Sequence, residues 1–371
     1  MSDPGDHAVA LAAELVGIDS VNPSLASGGA GESRIVEHLS SRLERNGFEI
    51  SIVDAADAGR PSLIAIPRGR VEHPTVVLNG HLDTVGVAGM TDPFTPRVEG
   101  DRLYGRGAAD MKSGVAALVI AAESLVAMEA PVNPVLALVA DEEDASIGSE
   151  AVIAALPALG VRPELCLIAE PTDLAPARSL RGFAVVEVVF AGRAAHSSQR
   201  EQGADAIAAL GRFLAAVDER AASVRASGGE LMVTKVRGGE SPFVVADRAE
   251  CLVELRTVPG ESAAGAADAV RALLPEGTDA TVRFLAHREA WRLDGSGAAA
   301  DLAARLGERL GTAATFDAPY WMEAPLWQEV APTLICGPSG GGLHAADEWV
   351  DLTQVRRFTR ALVDILGGSP A

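Results

Sequence analysis

The feature that most constrains the fold is the alternation of strand-like and helix-like segments in the first third of the chain. Short apolar runs occur at 62–66, 75–78 and 134–140, and a helical pattern spans 112–128 between the last two. Earlier, apolar residues recur at helical spacing over 35–43. Strands separated by helices indicate an α/β sheet with at least some parallel pairing. We therefore predict an α/β domain in this part of the chain.

A different pattern begins near Arg181. A strand, a helix, two strands, a helix and a last strand are predicted in that order, at 183–190, 204–217, 231–236, 249–256, 263–274 and 280–285. This order indicates a compact α+β insert of about 100 residues, which is a common domain size. We place the insert at residues 181–287. A helix at 298–310 and a strand at 332–336 follow, so residues 1–180 and 288–371 are predicted to form one domain.

Composition excludes several classes of function. The chain has 31 basic and 51 acidic residues and a net charge of -20, which repels nucleic acid and anionic lipid. The most apolar run, 115–122, is too short to span a bilayer. Cys166, Cys251 and Cys336 are dispersed, which argues against a disulfide framework and against a thiolate zinc site. We expect a cytoplasmic protein that binds neither nucleic acid nor membranes.

A first pair of candidate site residues follows the strand at 75–78. His81 and Asp83 lie two residues apart, so on an extended chain they share a face. Asp83 can then hydrogen-bond one ring nitrogen of His81 and leave the other as a metal ligand. The simpler alternative is a surface histidine after a strand, and the pattern alone does not separate the two.

Carboxylates stand at three further positions near predicted strand or helix ends. Asp110 begins an apolar helix, where aspartate is a favoured N-cap, but its two oxygens can also bridge two cations. Residues 141–144 read Asp-Glu-Glu-Asp directly after a strand. Such a run is usually a solvated loop, yet one carboxylate there can bind a metal while the next stays free as a base. Glu170 follows the apolar run 165–169.

A glycine-rich stretch at 337–342 precedes His344. It lacks the GxxxxGK[ST] spacing of a phosphate loop, so nucleotide binding is not indicated. The stretch is better explained as backbone shaped around a ligand that brings His344 to a site. Together, two histidines and three or four carboxylates form a nitrogen and oxygen ligand set that suits Zn²⁺, with Mn²⁺ or Co²⁺ feasible.

In combination, these segments resemble the M20 family of metallopeptidases and deacylases, which includes acetylornithine deacetylase, succinyl-diaminopimelate desuccinylase, glutamate carboxypeptidases and aminoacylases. Each motif alone is weak. The resemblance implies a zinc-peptidase-like catalytic domain with a mixed sheet flanked by helices, and an inserted ferredoxin-like domain that serves as a lid or in dimerisation. It rests on SVNP at 20–23, GHLDT at 80–84, GRGAADMKSG at 105–114, DEED at 141–144, AEPT at 169–172 and HAADE at 344–348.

The resemblance also implies roles for individual residues around two zinc ions. His196, in the insert, matches a histidine that reaches the active site of the partner subunit and stabilises the oxyanion. The other implied roles are His81 and Glu170 as terminal ligands of one zinc, Glu143 and His344 as those of the other, Asp110 as the bridging carboxylate, Asp83 as the partner of His81, and Glu142 as the general base.

The insert departs from the family pattern at a substrate-contacting position. Phe243 stands where relatives usually carry an asparagine that commonly contacts the substrate, and a phenylalanine cannot donate those hydrogen bonds. Arg256 matches an arginine that often binds a substrate carboxylate, with a surface salt bridge as the alternative. Glu323 stands where relatives tend to carry aspartate, and it either lines the pocket or supports His344.

The sequence therefore predicts a di-zinc amidohydrolase, similar to acetylornithine deacetylase, that cleaves a small N-acyl amino acid by metal-bound hydroxide with Glu142 as base. The substrate is expected to carry a free carboxylate, and the enzyme to form a homodimer through the lid domain. One alternative is a dipeptidase or carboxypeptidase on the same site. Another is a catalytically silent binding protein on this scaffold.

Overall fold

The computed structural model of the protein describes residues 3–55, 59–70 and 72–368. It contains two compact units. The first comprises the chain up to Arg178, Leu293–Phe316 and the chain from Leu326 onward, and the second comprises Ser179–Arg292 and Asp317–Pro325. The predicted outer domain limits, residues 1 and 371, lie outside the described residues.

Residues 317–325 belong to the second unit, whereas the sequence pattern placed them in the first domain. The difference arises from contacts that no local pattern reveals. The main-chain N–H of Arg181 donates to the carbonyl of Ala318 at 3.3 Å, and the Ser179 hydroxyl donates to Asp317 at 2.6 Å. These contacts attach the segment to the start of the insert.

The described residues form helices and strands with the following bounds. The helices are α1 (Pro4–Val16), α2 (Ser33–Arg45), α3 (Ser113–Ala127), α4 (Ile147–Ala155), α5 (Ala206–Ala226), α6 (Ala266–Arg271), α7 (Ala298–Leu310), α8 (Ala324–Trp327) and α9 (Leu352–Leu366). The strands are β1 (Phe48–Asp54), β2 (Pro61–Pro67), β3 (Thr75–His81), β4 (Arg97–Glu99), β5 (Arg102–Tyr104), β6 (Asn133–Val139), β7 (Leu165–Ile168), β8 (Ala177–Leu180), β9 (Gly182–Ala191), β10 (Glu230–Gly238), β11 (Arg248–Thr257), β12 (Ala280–Arg288), β13 (Trp291–Arg292), β14 (Phe316–Ala318), β15 (Thr333–Ile335), β16 (Gly340–Gly341) and β17 (Trp349–Asp351).

The first unit is built on a six-stranded mixed sheet in the order β1-β2-β6-β3-β7-β15. The pairs β1–β2 and β2–β6 are antiparallel, whereas β6, β3, β7 and β15 run parallel to one another. Strands β3 and β6 are buried along their whole length, as expected of parallel strands covered on both faces. The apolar core joins residues of α1, α2, α3, α7 and α9 to this sheet.

The second unit contains a four-stranded antiparallel sheet in the order β10-β11-β9-β12. Residues of β9 alternate between buried and partly buried, which is typical of a sheet with one face on the core. Helices α5 and α6 contribute to the same apolar core, which includes Phe190 and Phe213. The order strand, helix, two strands, helix, strand agrees with the predicted ferredoxin-like arrangement.

The helix predicted at 263–274 is wrong in extent, because α6 covers only Ala266–Arg271. After it, the N–H groups of Leu273 and Leu274 donate to carbonyls three residues earlier. This tighter turn follows the end of α6 and leads to Pro275, which disfavours a helical conformation of the residue before it. Among the described residues, none of the helices combines the length and apolar character that a membrane span requires.

Candidate active site

Four candidate segments leave the sheet of the first unit at neighbouring strand ends. His81 is the last residue of β3, Asp141–Glu143 follow β6, Glu170 follows β7, and the chain reaches His344 after β15. Because these strands are parallel, their carboxyl ends lie at one edge of the sheet, which is where open α/β sheets place their sites. Residues up to 263 positions apart in the sequence are thereby brought together.

Asp110 lies between the two histidines. Its Oδ1 is 3.0 Å from Nε2 of His81, and its Oδ2 is 3.3 Å from Nε2 of His344. The same His344 nitrogen lies 3.1 Å from Oε2 of Glu143, and Nε2 of His81 lies 3.8 Å from Oε1 of Glu170. The structure therefore brings together all five residues that the sequence suggested as metal ligands.

Two overlapping groups of these side chains could each hold a metal ion. Donor atoms of His81, Asp110 and Glu143 lie within 4.8 Å of one another, and so do donor atoms of His81, Glu142 and Glu170. Glu142, the predicted base, is thus within reach of the same cluster. Imidazole nitrogens and carboxylate oxygens in this combination suit Zn²⁺, Mn²⁺ or Co²⁺.

The electrostatics of the cluster are dominated by crowded carboxylates. Burial and the charge of Asp110 raise the pKa of Glu143 above its usual value. Hydrogen bonds with Asp110 and Glu143 raise the pKa of His344 to about 10. Burial opposes protonation of His81, but its hydrogen bond with Asp110 still raises its pKa well above the usual value. The protein alone therefore holds an excess of negative charge that favours cations at this position.

Asp110 is not the N-cap of the helix that follows it, which was the simpler explanation of its position. Helix α3 begins at Ser113, and Lys112 is the capping residue. The backbone at Asp110 is extended, with φ -117° and ψ 97°. Its carboxylate is consequently directed to His81 and His344 and not to the first amides of α3.

Asp83 contacts both the backbone at Glu142 and Glu143 and the ring of His81. Its fully buried carboxylate accepts hydrogen bonds from the main-chain N–H groups of Glu142 at 3.0 Å and Glu143 at 3.2 Å. Nδ1 of His81 lies 3.0 Å from the Asp83 carbonyl oxygen and 3.6 Å from its carboxylate. The main-chain oxygen is thus the shorter contact of the ring, while the carboxylate fixes the backbone that carries Glu142.

A buried polar network behind Asp83 was not foreseen from the sequence. The Asn22 side-chain amide donates to Asp83 at 2.8 Å and to Asp141 at 3.0 Å. Asp141 also accepts from Arg60 at 2.7 Å, and Arg60 is in turn paired with Glu32. Asn22 belongs to the SVNP segment at 20–23, so the resemblance included it without giving it a role.

His196 and Phe243 lie side by side in the second unit. The main-chain N–H of Ser197 donates to the carbonyl of Phe243 at 2.9 Å, and His196 and Val244 form an isolated antiparallel β-bridge. His196 is exposed, and its Nδ1 accepts from the N–H of Ser198. The Phe243 side chain is 68% exposed, the largest exposed fraction among the big apolar residues described.

Arg256 and Glu323 also belong to the second unit. Nε of Arg256 lies 2.6 Å from Oε1 of Glu254, two residues away on β11, and its guanidinium stands 5.5 Å from the ring of Phe183. The contact with Glu254 is a salt bridge, which was the alternative to carboxylate binding by Arg256. Glu323 is buried, next to Met322 and Ala324, which are also buried.

Comparison with known proteins decides the family. Residues 77–367 match the model of peptidase family M20/M25/M40, which is well over half of the chain. The chain belongs to this family. Members of the M20 family are metal-dependent hydrolases of amide bonds, so the predicted class of enzyme is confirmed.

Individual relatives extend this M20 assignment along the whole chain. N-acetyl-L-citrulline deacetylase of Xanthomonas campestris pv. campestris is 32% identical over 376 residues, with 96% of each chain covered. Acetylornithine deacetylase of Myxococcus xanthus is 28% identical over 393 residues and covers 99% of this chain and 100% of its own. A solved dinuclear metal-binding M20 peptidase from Bacillus subtilis has a TM-score of 0.71 at 19% identity, with 98% of both chains covered. The predicted fold class is confirmed.

Proposed function

We propose that this M20 enzyme binds two divalent cations, Zn²⁺ above all, and cleaves the amide bond of a small N-acyl amino acid. The observation that carries the proposal is the position of Asp110, whose two oxygens face His81 and His344 at 3.0 and 3.3 Å. A carboxylate in that position can bridge two ions. His81 and Glu170 would complete the binding of one ion, and Glu143 and His344 that of the other.

The residues present fit such a pair of cations. Oε1 of Glu143 is buried and has no hydrogen-bond partner among the described residues. A buried carboxylate oxygen without a donor is costly unless a cation binds it. The donor set contains no thiolate, and Cys166, Cys251 and Cys336 are all buried. Nitrogen and oxygen donors alone match Zn²⁺, with Co²⁺ or Mn²⁺ as substitutes.

Bound cations supply Lewis acidity to the scissile carbonyl and lower the pKa of water. In our proposal the Glu142 carboxylate takes the proton of the attacking water and delivers it to the leaving nitrogen. In this proposal the other five residues bind the cations, and the Glu142 carboxylate acts on the water. The Asp83 carboxylate accepts from the Glu142 main-chain N–H at 3.0 Å, which fixes the backbone from which the Glu142 side chain extends.

The second unit supplies the remaining roles in the proposal. His196 donates to the oxyanion that develops on the substrate carbonyl, and it does so across a homodimer that forms through this unit. Arg256 binds the free carboxylate of the substrate with its planar guanidinium, and Phe243 and Glu323 contribute to the pocket. The three cysteines are buried thiols outside any disulfide, as is typical of a reducing compartment, which supports a cytoplasmic enzyme.

Two relatives support the deacylase form of the proposal, since both align over nearly the whole chain and are named for removing an acetyl group from an amino acid. A dipeptidase or carboxypeptidase that uses the same residues is the second candidate. It is favoured by the family description, which is that of peptidases. The two activities differ only in the groups on either side of the amide.

A metal analysis combined with a hydrolysis panel tests the proposal. The protein would be loaded with Zn²⁺, freed of excess ion, and assayed on N-acetylcitrulline, N-acetylornithine, N-succinyl-diaminopimelate and several dipeptides. We expect two ions per chain and turnover on at least one N-acyl amino acid that exceeds turnover on every dipeptide. Turnover confined to dipeptides would establish the second candidate. Two bound ions without turnover on any amide would indicate a silent binding protein and refute the proposed activity.

A further inference from the structure

Glu348 is a buried carboxylate that none of the proposed roles uses. Its side chain is fully buried, and it lies four residues after His344. Oε1 accepts hydrogen bonds from the main-chain N–H groups of Ala109 at 2.9 Å and Asp110 at 3.1 Å. Oε2 accepts from the N–H of Gly107 at 3.0 Å and from Nη1 of Arg106 at 2.6 Å. All four donors thus come from residues 106–110.

These contacts fix the segment that ends in Asp110. Three of the four donors are backbone amides, those of Gly107, Ala109 and Asp110, so Glu348 supplies acceptors that a regular helix or strand would otherwise give them. The Asp110 backbone is non-helical at this point, and Gly107 has a positive φ of 78°. The turn bonds from the N–H of Ala108 to Gly105 and from the N–H of Lys112 to Gly107 leave the amides of Ala109 and Asp110 to Glu348, which therefore holds the backbone that carries the Asp110 carboxylate.

The same residue also ties this segment to the one that carries His344. The N–H of Gly105 donates to the main-chain carbonyl of Glu348 at 3.2 Å, so both ends of Glu348 hold the stretch before Asp110. On the other side, Gly342 begins a tight turn in which the N–H of Ala345 donates to its carbonyl at 2.8 Å. Only three residues lie between His344 and the anchored Glu348.

We infer that Glu348 is a positioning residue that sets the distance between Asp110 and His344 and thereby the affinity for the second cation. The inference rests on the proposed binding of two cations. Residues that orient metal ligands typically change metal affinity or activity about 10–100-fold when they are replaced. A residue that only stabilised the fold would lower the melting temperature and leave the cation affinity of the folded protein unchanged.

Glu348→Gln is the direct test, because glutamine keeps the shape but directs N–H groups at two of the four donors. Its matched control is Glu123→Gln. Glu123 accepts two hydrogen bonds from Arg42 at 2.8 and 2.7 Å and one from Asn46 at 3.0 Å, and its side chain is only 14% exposed. Both variants therefore lose a well-bonded carboxylate of the first unit, but only Glu348 contacts a proposed ligand segment.

The measurements are Zn²⁺ and Co²⁺ titrations of the full-length apo proteins below their melting temperatures, with the visible absorption of the Co²⁺ forms. We expect Glu348→Gln to bind the weaker equivalent about 10–100-fold less tightly and to shift its Co²⁺ spectrum. Glu123→Gln should match the wild type in both. Equal affinities and spectra for all three proteins would overturn the inference.

A second variant covers the case in which Glu348→Gln does not fold. Arg106→Lys removes the guanidinium contact with Glu348 and leaves the three backbone contacts in place. We expect a smaller loss of affinity in the same direction, and unchanged affinity would overturn the inference. A wild-type protein that binds fewer than two ions would instead refute the proposed function, which is a separate and recognisable result.

Discussion

Replacing Asp83 with asparagine should damage both stability and turnover, by amounts that its hydrogen bonds allow us to estimate. The buried carboxylate accepts from the N–H of Glu142, the N–H of Glu143 and the side-chain amide of Asn22. Asparagine offers one oxygen in place of two, so at least one donor loses its acceptor. A hydrogen bond to a charged group contributes about 1.5–3 kcal/mol, and a buried unsatisfied donor costs about 1–3 kcal/mol. We expect the free energy of unfolding to fall by about 2–5 kcal/mol.

Turnover should fall because the backbone that carries Glu142 is no longer held. Displacement of a catalytic group by about 1 Å can cost on the order of 100-fold. We therefore expect kcat/KM of Asp83→Asn to fall about 10–100-fold on the best N-acyl substrate, as measured at saturating Zn²⁺. Urea denaturation at the same Zn²⁺ concentration gives the change in stability.

Asp205→Asn is the matched control for Asp83→Asn. Asp205 caps α5 by accepting from the N–H of Ala208 at 3.0 Å, and asparagine is an equally favourable cap. This variant loses the same charge and should keep both quantities. If Asp83→Asn lost stability but kept wild-type kcat/KM, the carboxylate would be structural, and the argument that it positions Glu142 would be refuted.

Three further predictions follow from the site and the core. Glu142→Gln should retain both metal ions and lose about 100–10,000-fold in kcat, which metal analysis with steady-state kinetics checks; substantial activity would defeat the role of base. Removal of metal by a chelator should lower the melting temperature, and Zn²⁺ should restore it, since a ligand at 100 times its Kd stabilises by about 2.7 kcal/mol. Burial raises the pKa of the Cys336 thiol from 9.0 to about 12, because the folded protein disfavours the thiolate. The contribution of the neutral thiol to the free energy of unfolding is therefore fully present below about pH 9 and is lost as the pH rises toward 12. Cys336→Ala should flatten the fall of melting temperature above pH 9, and an unchanged slope would contradict this.

Buried strands were the part of the fold that the sequence predicted best. The run at 134–140 corresponds to β6, Asn133–Val139, and the run at 75–78 lies within β3. Both strands are buried along their whole length, so their sequences are mostly apolar and do not alternate with exposed residues. The strand β1 was missed because its exposed residues, such as Glu49, interrupt the apolar run at the edge of the sheet. Edge strands carry a weaker signal for this reason.

In the candidate site, motifs indicated the chemical groups but not what holds them. Asn22 and Glu348 each contact residues more than 60 positions away, and no local pattern reports contacts of that range. The peptide bond between Asp110 and Met111 is cis, a geometry so rare outside proline that sequence reasoning does not anticipate it. The contacts of Asp83 were predicted only in part, since the ring of His81 is closer to its carbonyl than to its carboxylate.

Two residues of the candidate site segments have unfavourable backbone conformations, and buried polar groups hold one of them, Asp141. Asp141 and His344 have φ values of 66° and 61°, in the left-handed region that residues other than glycine seldom occupy. Such positions cost on the order of 1–3 kcal/mol and persist only where the surroundings determine them. Asp141 is held by Arg60 and Asn22 at 2.7 and 3.0 Å. Because Asp141 immediately precedes Glu142, its unusual φ sets the direction in which the chain leaves β6. Substitutions at Arg60 or Asn22 should therefore weaken the site although neither side chain is a candidate ligand or base.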